Sequence, residues 1–305
     1  MTAESSGGAG AAPLAGSSTS LASRLGRAAP ALPGLAVLLI LFLVPLALML
    51  VFSFWRTNTD FKMVQDWNID NYLRFFNAPT YLRTFGKTLV MGALVTLASL
   101  AISMPFAYFL VRYTSKLLQR LILLAVIVPF WTSYLLRVYA WQAILGEHGA
   151  LNQLLQGIGL IHEPSMFFVY DDPGVFVVLT YVYFPFAVLA LYAALEKFDF
   201  TQLTAAQDLG ARPDQAFRHV LMPQIRPGVI TACIFVFIPI LGEFLTPTLV
   251  GGAQSSLIGN LVFNFLRLAQ YPEGGALAMI IAAFVVVVLI VFRKSFRVED
   301  VVARG

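Results

Sequence analysis

The stretch TQLTAAQDLGARPDQAFRHVLMPQIRP, residues 201–227, decides how the rest of the chain is read. It is a long polar interruption, and apolar segments long enough to cross a membrane lie on both sides of it. Its own pattern is two short helical pieces broken at Gly210. Asp199 or Thr201 stands where the first piece needs a cap, and Leu203, Ala205, Ala206 and Leu209 are good helix formers. Gly210 follows where a helix commonly ends in a left-handed residue. Pro213 suits the first turn of a second helix, with Asp214 beside it at the positive dipole end. That helix is expected to run to about Val220 before Met222-Pro223 stops it. The Ala205-Ala206 pair leaves a flat surface that a partner backbone can approach closely. Spacing alone also fits an amphipathic loop lying on the bilayer. A polar helix–glycine–helix unit between spans reads better as the place where a membrane protein meets a soluble partner.

Working outward, the 305 residues are 59% hydrophobic and 12% charged, against about 25% charged in soluble domains. Apolar runs of around 20 residues recur, each able to cross a hydrocarbon core of about 30 Å. The class is an all-α membrane protein; the alternating short strands of a membrane barrel are missing. Six spans are expected, at Leu35–Phe54, Leu89–Val111, Leu121–Ala143, Val175–Leu195, Gly228–Val250 and Ala276–Phe292. Residues 1–31, rich in Ala, Gly and Ser, cannot bury a core and are expected to be a disordered tail, with residues 32–305 forming the membrane domain. The apolar run after the tail is too long for a signal peptide and lacks a small-residue cleavage site. Short amphipathic helices are expected within 55–88, which is polar.

The 20 Lys and Arg divide thirteen to seven between the two sides these spans define. The richer side holds both termini and residues 201–227, which places them in the cytoplasm. Prolines fall inside the expected spans at Pro45, Pro105, Pro129, Pro185 and Pro239, each removing a backbone donor and tending to kink its helix. Five kinks in six spans fit a bundle that changes shape. Cys233 stands alone within an apolar run, and His148 and His162 lack ligand spacing, so no metal is expected.

The 201–227 stretch resembles the cytoplasmic signature of ABC importer permeases: Glu-Ala-Ala, three residues, Gly, nine residues, Ile, one residue, Leu-Pro. Here it reads Thr204-Ala205-Ala206, Gly210, Val220 and Met222-Pro223, with every spacing kept. Val220 and Met222 are conservative replacements, whereas Thr204 removes the acid. The resemblance extends over nearly the whole chain beyond the tail. VPFWTSYLLRVYAWQAILGEHGALNQLL (residues 128–155) is similar to the third-span segment of spermidine/putrescine permeases, and FIPILGEFLTPTLVGG (237–252) to the fifth span of that family. The resemblance implies the fold of a type I importer permease with a cytoplasmic coupling helix. It also implies a bacterial inner-membrane location, a second permease subunit, a pair of cytoplasmic ATPase subunits and an extracytoplasmic solute-binding protein. ATP and Mg would be bound by the ATPase, and no GxxxxGK[ST] cradle occurs in this chain. The chain itself is then no enzyme and holds no cofactor, and its surroundings are lipid and protein, not nucleic acid. On this resemblance Thr204, Ala205, Ala206, Asp208, Gly210 and Pro223 form the ATPase-docking set.

For the substrate path the sharpest residue is Glu243, a carboxylate inside an apolar span, where charge is expensive unless paired or hydrated. A carboxylate flanked by aromatics suits the ammonium groups of a polyamine. A structural ion pair or a partner-subunit contact fits the same residue. Trp131 and Tyr134 are the candidate aromatics, with Trp131 expected to lie deepest beside Pro129. Arg137 has the wrong sign to bind a cation and is expected to pair with Glu243 or an outer acid. Permeases for an iron complex, thiamine or an opine-like amine share these features. An ion-coupled secondary transporter, the alternative from another class, calls for inverted repeats and several intramembrane acids.

Overall fold

The structure, a computed structural model, describes residues 32–165, 168 and 170–296; the expected tail at 1–31 lies outside them. The chain divides into two compact units, residues 1–48 and 49–305. The helix α1 (Leu32–Phe52), with Pro45 inside it, begins in the first unit and supplies all that is described there.

The second unit begins with a short hairpin, β1 (Arg56–Thr57) paired antiparallel with β2 (Met63–Val64), followed by the amphipathic helix α2 (Asp70–Asn77). Then come α3 (Pro79–Tyr113), α4 (Lys116–Ile127), a 3₁₀ turn (Val128–Trp131), α5 (Tyr134–Leu145) and α6 (Ala150–Gly157). After these run α7 (Asp172–Glu196), α8 (Thr201–Asp208), α9 (Pro213–Leu241), α10 (Leu245–Val250), α11 (Ile258–Arg267) and α12 (Tyr271–Phe296). The hairpin was not expected from the sequence. Its turn is organised by Asn58, whose Oδ1 accepts from the backbone N–H of Asp60 and Lys62.

Helices α3, α7 and α9 pack against one another and form the core, with Val95, Ala107, Val178, Leu179, Leu191, Val236 and Ile240 fully buried between them. Lipid tails are as apolar as leucine, so van der Waals fit and internal hydrogen bonding hold such helices together. The buried hydroxyls show the second term. Thr96 donates to the Gly92 carbonyl, and Thr88 donates to the Thr84 carbonyl while accepting the backbone N–H of Ile258.

Among the described residues four helices are long and apolar enough to cross a membrane: α3, α7, α9 and α12. Two of the expected spans are not single helices. The one at Leu121–Ala143 breaks in the middle, where the two helical segments meet at 94°. The physical cause is Pro129, which has no N–H to continue the ladder. The chain tightens into the 3₁₀ turn and then runs extended through Thr132 and Ser133 (ψ 150° and 134°). Thr132 satisfies the proline's carbonyl with both its N–H and its hydroxyl. The expected span at Gly228–Val250 is displaced: α9 starts at Pro213 and stops at Leu241, and Gly242–Phe244 separate it from α10.

Residues 201–227 form the helix–glycine–helix unit, with one correction. Gly210 is left-handed (φ +92°), and the Ala211 and Gly210 N–H groups bond the carbonyls of Ala206 and Gln207, a complete Schellman ending of α8. Met222-Pro223, however, does not stop the second helix. A π-turn over Phe217–Leu221 shifts the hydrogen-bond register just ahead of Pro223, so the ring is accommodated and the helix continues to Leu241.

At the start of α8 the Asp199 carboxylate accepts from the Thr201 hydroxyl and backbone N–H, which hold it below the usual aspartate range. A lowered folded-state pKa contributes stability that is present above the unfolded value and lost as pH falls through the folded one. Replacing Asp199 by Ala is therefore expected to raise amide hydrogen exchange across α8 at neutral pH. The difference from the native chain should shrink as pH falls below the usual aspartate range and vanish only below the lowered folded-state value. A difference that persists in acid would show that the carboxylate's charge does not hold this end.

Candidate functional site

The break between α9 and α10 is built around one carboxylate. Glu243 is 7% exposed, and both its oxygens are occupied. Oε1 accepts the backbone N–H groups of Leu245 (3.0 Å) and Thr246 (3.1 Å), two of the donors that the first turn of α10 leaves free. Oε2 accepts the phenol of Tyr134 from α5 (2.8 Å) and the phenol of Tyr183 from α7 (3.1 Å). A carboxylate offers about four acceptor positions, so this one is full. Because the single proton of Tyr134 goes to Glu243, its 2.7 Å contact with Thr246 takes the threonine hydroxyl as donor.

Neighbouring groups fix the frame. The Asn260 amide donates to the Phe244 carbonyl and to the Thr248 hydroxyl, and Asn260 Oδ1 accepts the Leu257 N–H. Phe244 stacks on Phe263 at 4.5 Å between centroids. The Gln142 amide of α5 donates to the Leu249 carbonyl, tying α5 to the far end of α10. Gly259 is required here, since a Cβ on it would lie 2.5 Å from the Glu243 carbonyl oxygen and 2.8 Å from that of Gly242.

Of the expected path residues, the structure joins Glu243 and Tyr134 directly. Trp131 stands apart at 83% exposure, on the 3₁₀ turn at the bend, with no ring or hydrogen-bond contact among the described residues. It is the most exposed of that group. Arg137 corrects an expectation. Among the described residues it pairs with neither Glu243 nor an outer acid; its guanidinium lies over the rings of Phe130 (5.1 Å) and Tyr134 (5.6 Å), and its Nε is buried with no acceptor. The two phenols and two backbone amides hold the positions on Glu243 that an arginine would need. Tyr183, Thr246, Asn260 and Gln142 were not singled out from the sequence. A tyrosine two residues before Pro185 in an apolar span carries no local signal of a partner 60 positions away.

The residues expected to dock an ATPase lie elsewhere, on α8, at Gly210 and near the start of α9. Thr204, Ala205, Asp208, Gly210 and Pro223 are exposed, whereas Ala206 is half-buried and packs on the core. Leu203 anchors the inner face of α8 at 6% exposure, and the Gln224 amide donates to the Gln202 side-chain Oε1 across the two helices at 2.6 Å. Leu209, beside Gly210, is 90% exposed, so a bare leucine sits at the tip of this unit.

Removing the hub carboxylate strands buried donors, each costing about 1–3 kcal/mol. Glu243→Ala is expected to destabilise the purified protein by roughly 3 kcal/mol or more on that count. Glu243→Gln, which keeps an acceptor for the α10 amides, should cost about 1 kcal/mol. Gly259→Val is expected to cost about 1–3 kcal/mol through overpacking. Thermal unfolding of the three variants measures the order, and equal stability for Ala and Gln would contradict the saturated-carboxylate geometry.

Comparison with known proteins places this architecture. The family profile described as binding-protein-dependent transport system inner membrane component matches residues 99–298. The chain is 34% identical over 261 residues to the spermidine/putrescine transport system permease protein PotB of Escherichia coli (strain K12), covering 85% of this chain and 94% of that one. It is 35% identical over 231 residues to the inner membrane ABC transporter permease protein YdcU of the same strain, covering 71% and 72%. Among solved structures it resembles a chain of a bacterial ABC transporter involved in the import of the acidic polysaccharide alginate, with a TM-score of 0.72 at 20% identity over 91% of this chain and 98% of that one. At that identity the likeness is one of fold. The chain belongs to the family of inner membrane components of binding-protein-dependent transport systems.

Proposed function

We propose that this protein is a membrane-spanning permease subunit of an ATP-driven importer of polyamines, with putrescine and spermidine as the solute class. The observation that carries the solute is Glu243: a buried carboxylate at a helix break, ringed by Tyr134, Tyr183 and Phe244 and joined to helices on three sides. A buried carboxylate with aromatic neighbours recognises an ammonium group by charge and by the ring faces. The relatives named for spermidine/putrescine transport support the same class.

In this reading six helices cross the membrane: α1, α3, the bent α4–α5 pair, α7, α9 and α12. Both termini face the cytoplasm, following the Lys and Arg distribution. The chain works with a second permease subunit, a cytoplasmic ATPase dimer that binds ATP and Mg, and an extracytoplasmic solute-binding protein. The last is supported by a fold neighbour solved in complex with its periplasmic protein. This subunit hydrolyses nothing and holds no cofactor. The exposed face of α8, with Thr204, Ala205, Asp208 and Leu209, seats in the ATPase, and Ala206, Gly210 and Pro223 shape the joint behind it. Thr204, with no charge, contributes a hydroxyl where the family signature has an acid. Because Leu203 and the Gln202–Gln224 bond fasten α8 to α9, a push on α8 is passed along α9 to the Glu243 break.

Two variants test this in proteoliposomes containing the complete complex. Gly210 has open space around it, so Gly210→Val adds only backbone strain, about 1–3 kcal/mol in the left-handed region. It is expected to cut ATP-driven uptake of labelled putrescine about tenfold or more while ATP hydrolysis continues; unchanged uptake would sink the lever. Glu243→Gln is expected to lower putrescine uptake in an assembled complex. Preferred uptake of an iron complex or thiamine by the native complex would replace the polyamine reading.

A further inference from the structure

The mechanism leaves one charged group unused. Arg137 is half-buried beside the Glu243 hub, its Nε is enclosed without an acceptor, and no carboxylate among the described residues lies within ion-pair distance. A guanidinium so placed is costly, and two aromatic faces offset only part of the cost. One of those faces belongs to Tyr134, whose phenol donates to Glu243. Tyr134 and Arg137 are three residues apart on α5, so they occupy neighbouring positions on one helix face. A turn of α5 about its axis that withdraws the phenol brings the guanidinium toward the same carboxylate.

The backbone provides for such a turn. Helix α5 is bounded by extended residues at both ends, Thr132–Ser133 (ψ 150° and 134°) before it and Gly146 (ψ 166°) after it. Its polar ties run to the hub and α10: Tyr134 to Glu243 and Thr246, and Gln142 to the Leu249 carbonyl. In the described conformation Glu243 has no acceptor free, so an ammonium enters only as Tyr134 or Tyr183 leaves.

We propose that Arg137 is a built-in competitor for Glu243: it waits on the rings of Phe130 and Tyr134, and after α5 turns it pairs with the carboxylate and displaces the bound ammonium. This rests on the reading of Glu243 as the cation site. The cycle then has three partners for one carboxylate: phenols at rest, the substrate ammonium in transit and the guanidinium on release. Arg137 is a positioning residue, acting on the substrate through Glu243. It supplies the last step that a saturated anionic site needs, because a carboxylate strong enough to strip an ammonium from water also holds it.

The test uses the complete complex with its solute-binding protein loaded with labelled putrescine. Two quantities are read: ATP-driven uptake into proteoliposomes, and putrescine retained on the detergent-solubilised complex after rapid gel filtration. Arg137→Gln should lower uptake about fivefold or more and raise retention by a similar factor, the split expected when release and not binding is impaired. Arg137→Lys, which keeps the cation, should restore both most of the way. Phe130→Leu removes one of the rings that holds the guanidinium and leaves every donor on Glu243 in place, so retention should fall. A loss of uptake in Arg137→Gln without a rise in retention overturns the proposal and marks Arg137 as structural. Unchanged uptake overturns it too. If Arg137→Gln does not assemble, Phe130→Leu decides, and retention that does not fall overturns the proposal. Glu243→Gln separates the two levels: retention unchanged there removes the cation-site reading itself, whereas retention lost there with Arg137 and Phe130 variants unaffected removes only the competitor.

Discussion

One carboxylate holds the interior of this subunit in register. Glu243 collects two backbone amides of α10, a phenol from α5 and a phenol from α7, so three separate helices and the break after α9 meet on two oxygen atoms. In an apolar surround an ionisable group that lacks partners is expensive, and here every acceptor position is met. The surrounding architecture follows from keeping it so. Gly259 lets α11 close onto the Gly242–Glu243 carbonyls, Asn260 secures the Phe244 carbonyl, and α7 carries Tyr183 into place through its buried face.

The same geometry gives the hub two properties at once. As a capping group it stabilises α10; as an anion held by exchangeable phenols it is open to replacement by a better donor. A phenol–carboxylate bond carries one charge, whereas a bond to an ammonium or a guanidinium adds the attraction of two opposite charges. At the other end of α9, the Schellman turn at Gly210 and the π-turn before Pro223 let a polar, exposed unit join a long apolar helix without interrupting it. The α8 unit and the Glu243 break thus flank one continuous helix, α9.

How much of this was legible in the sequence follows from the range of the interactions. The glycine ending of α8 and the N1 proline of α9 were readable because they are local rules, whereas the N-cap of α8 is Phe200, between the two residues expected for it. The stop expected at Met222-Pro223 failed because a π-turn, which depends on the whole turn of helix, absorbs the proline. Glu243 stood out as an acid in an apolar run, but its donors did not, since Tyr183 and Asn260 are ordinary in their own neighbourhoods and acquire meaning only through contacts across the bundle. Spans placed by apolar length alone ran across the break at Gly242–Phe244 and the bend at Pro129. Hydropathy sees the composition of a segment, and the breaks are set by which backbone donors a side chain can reach.

What Glu243 holds while solute passes decides the role of the hub. The most direct measurement is an experimental structure of the complete complex trapped with putrescine in transit. The predicted result is an ammonium nitrogen about 3 Å from the Glu243 carboxylate, with at least one of the Tyr134 and Tyr183 phenols withdrawn. Putrescine bound elsewhere, with all four native donors still on Glu243, would contradict it.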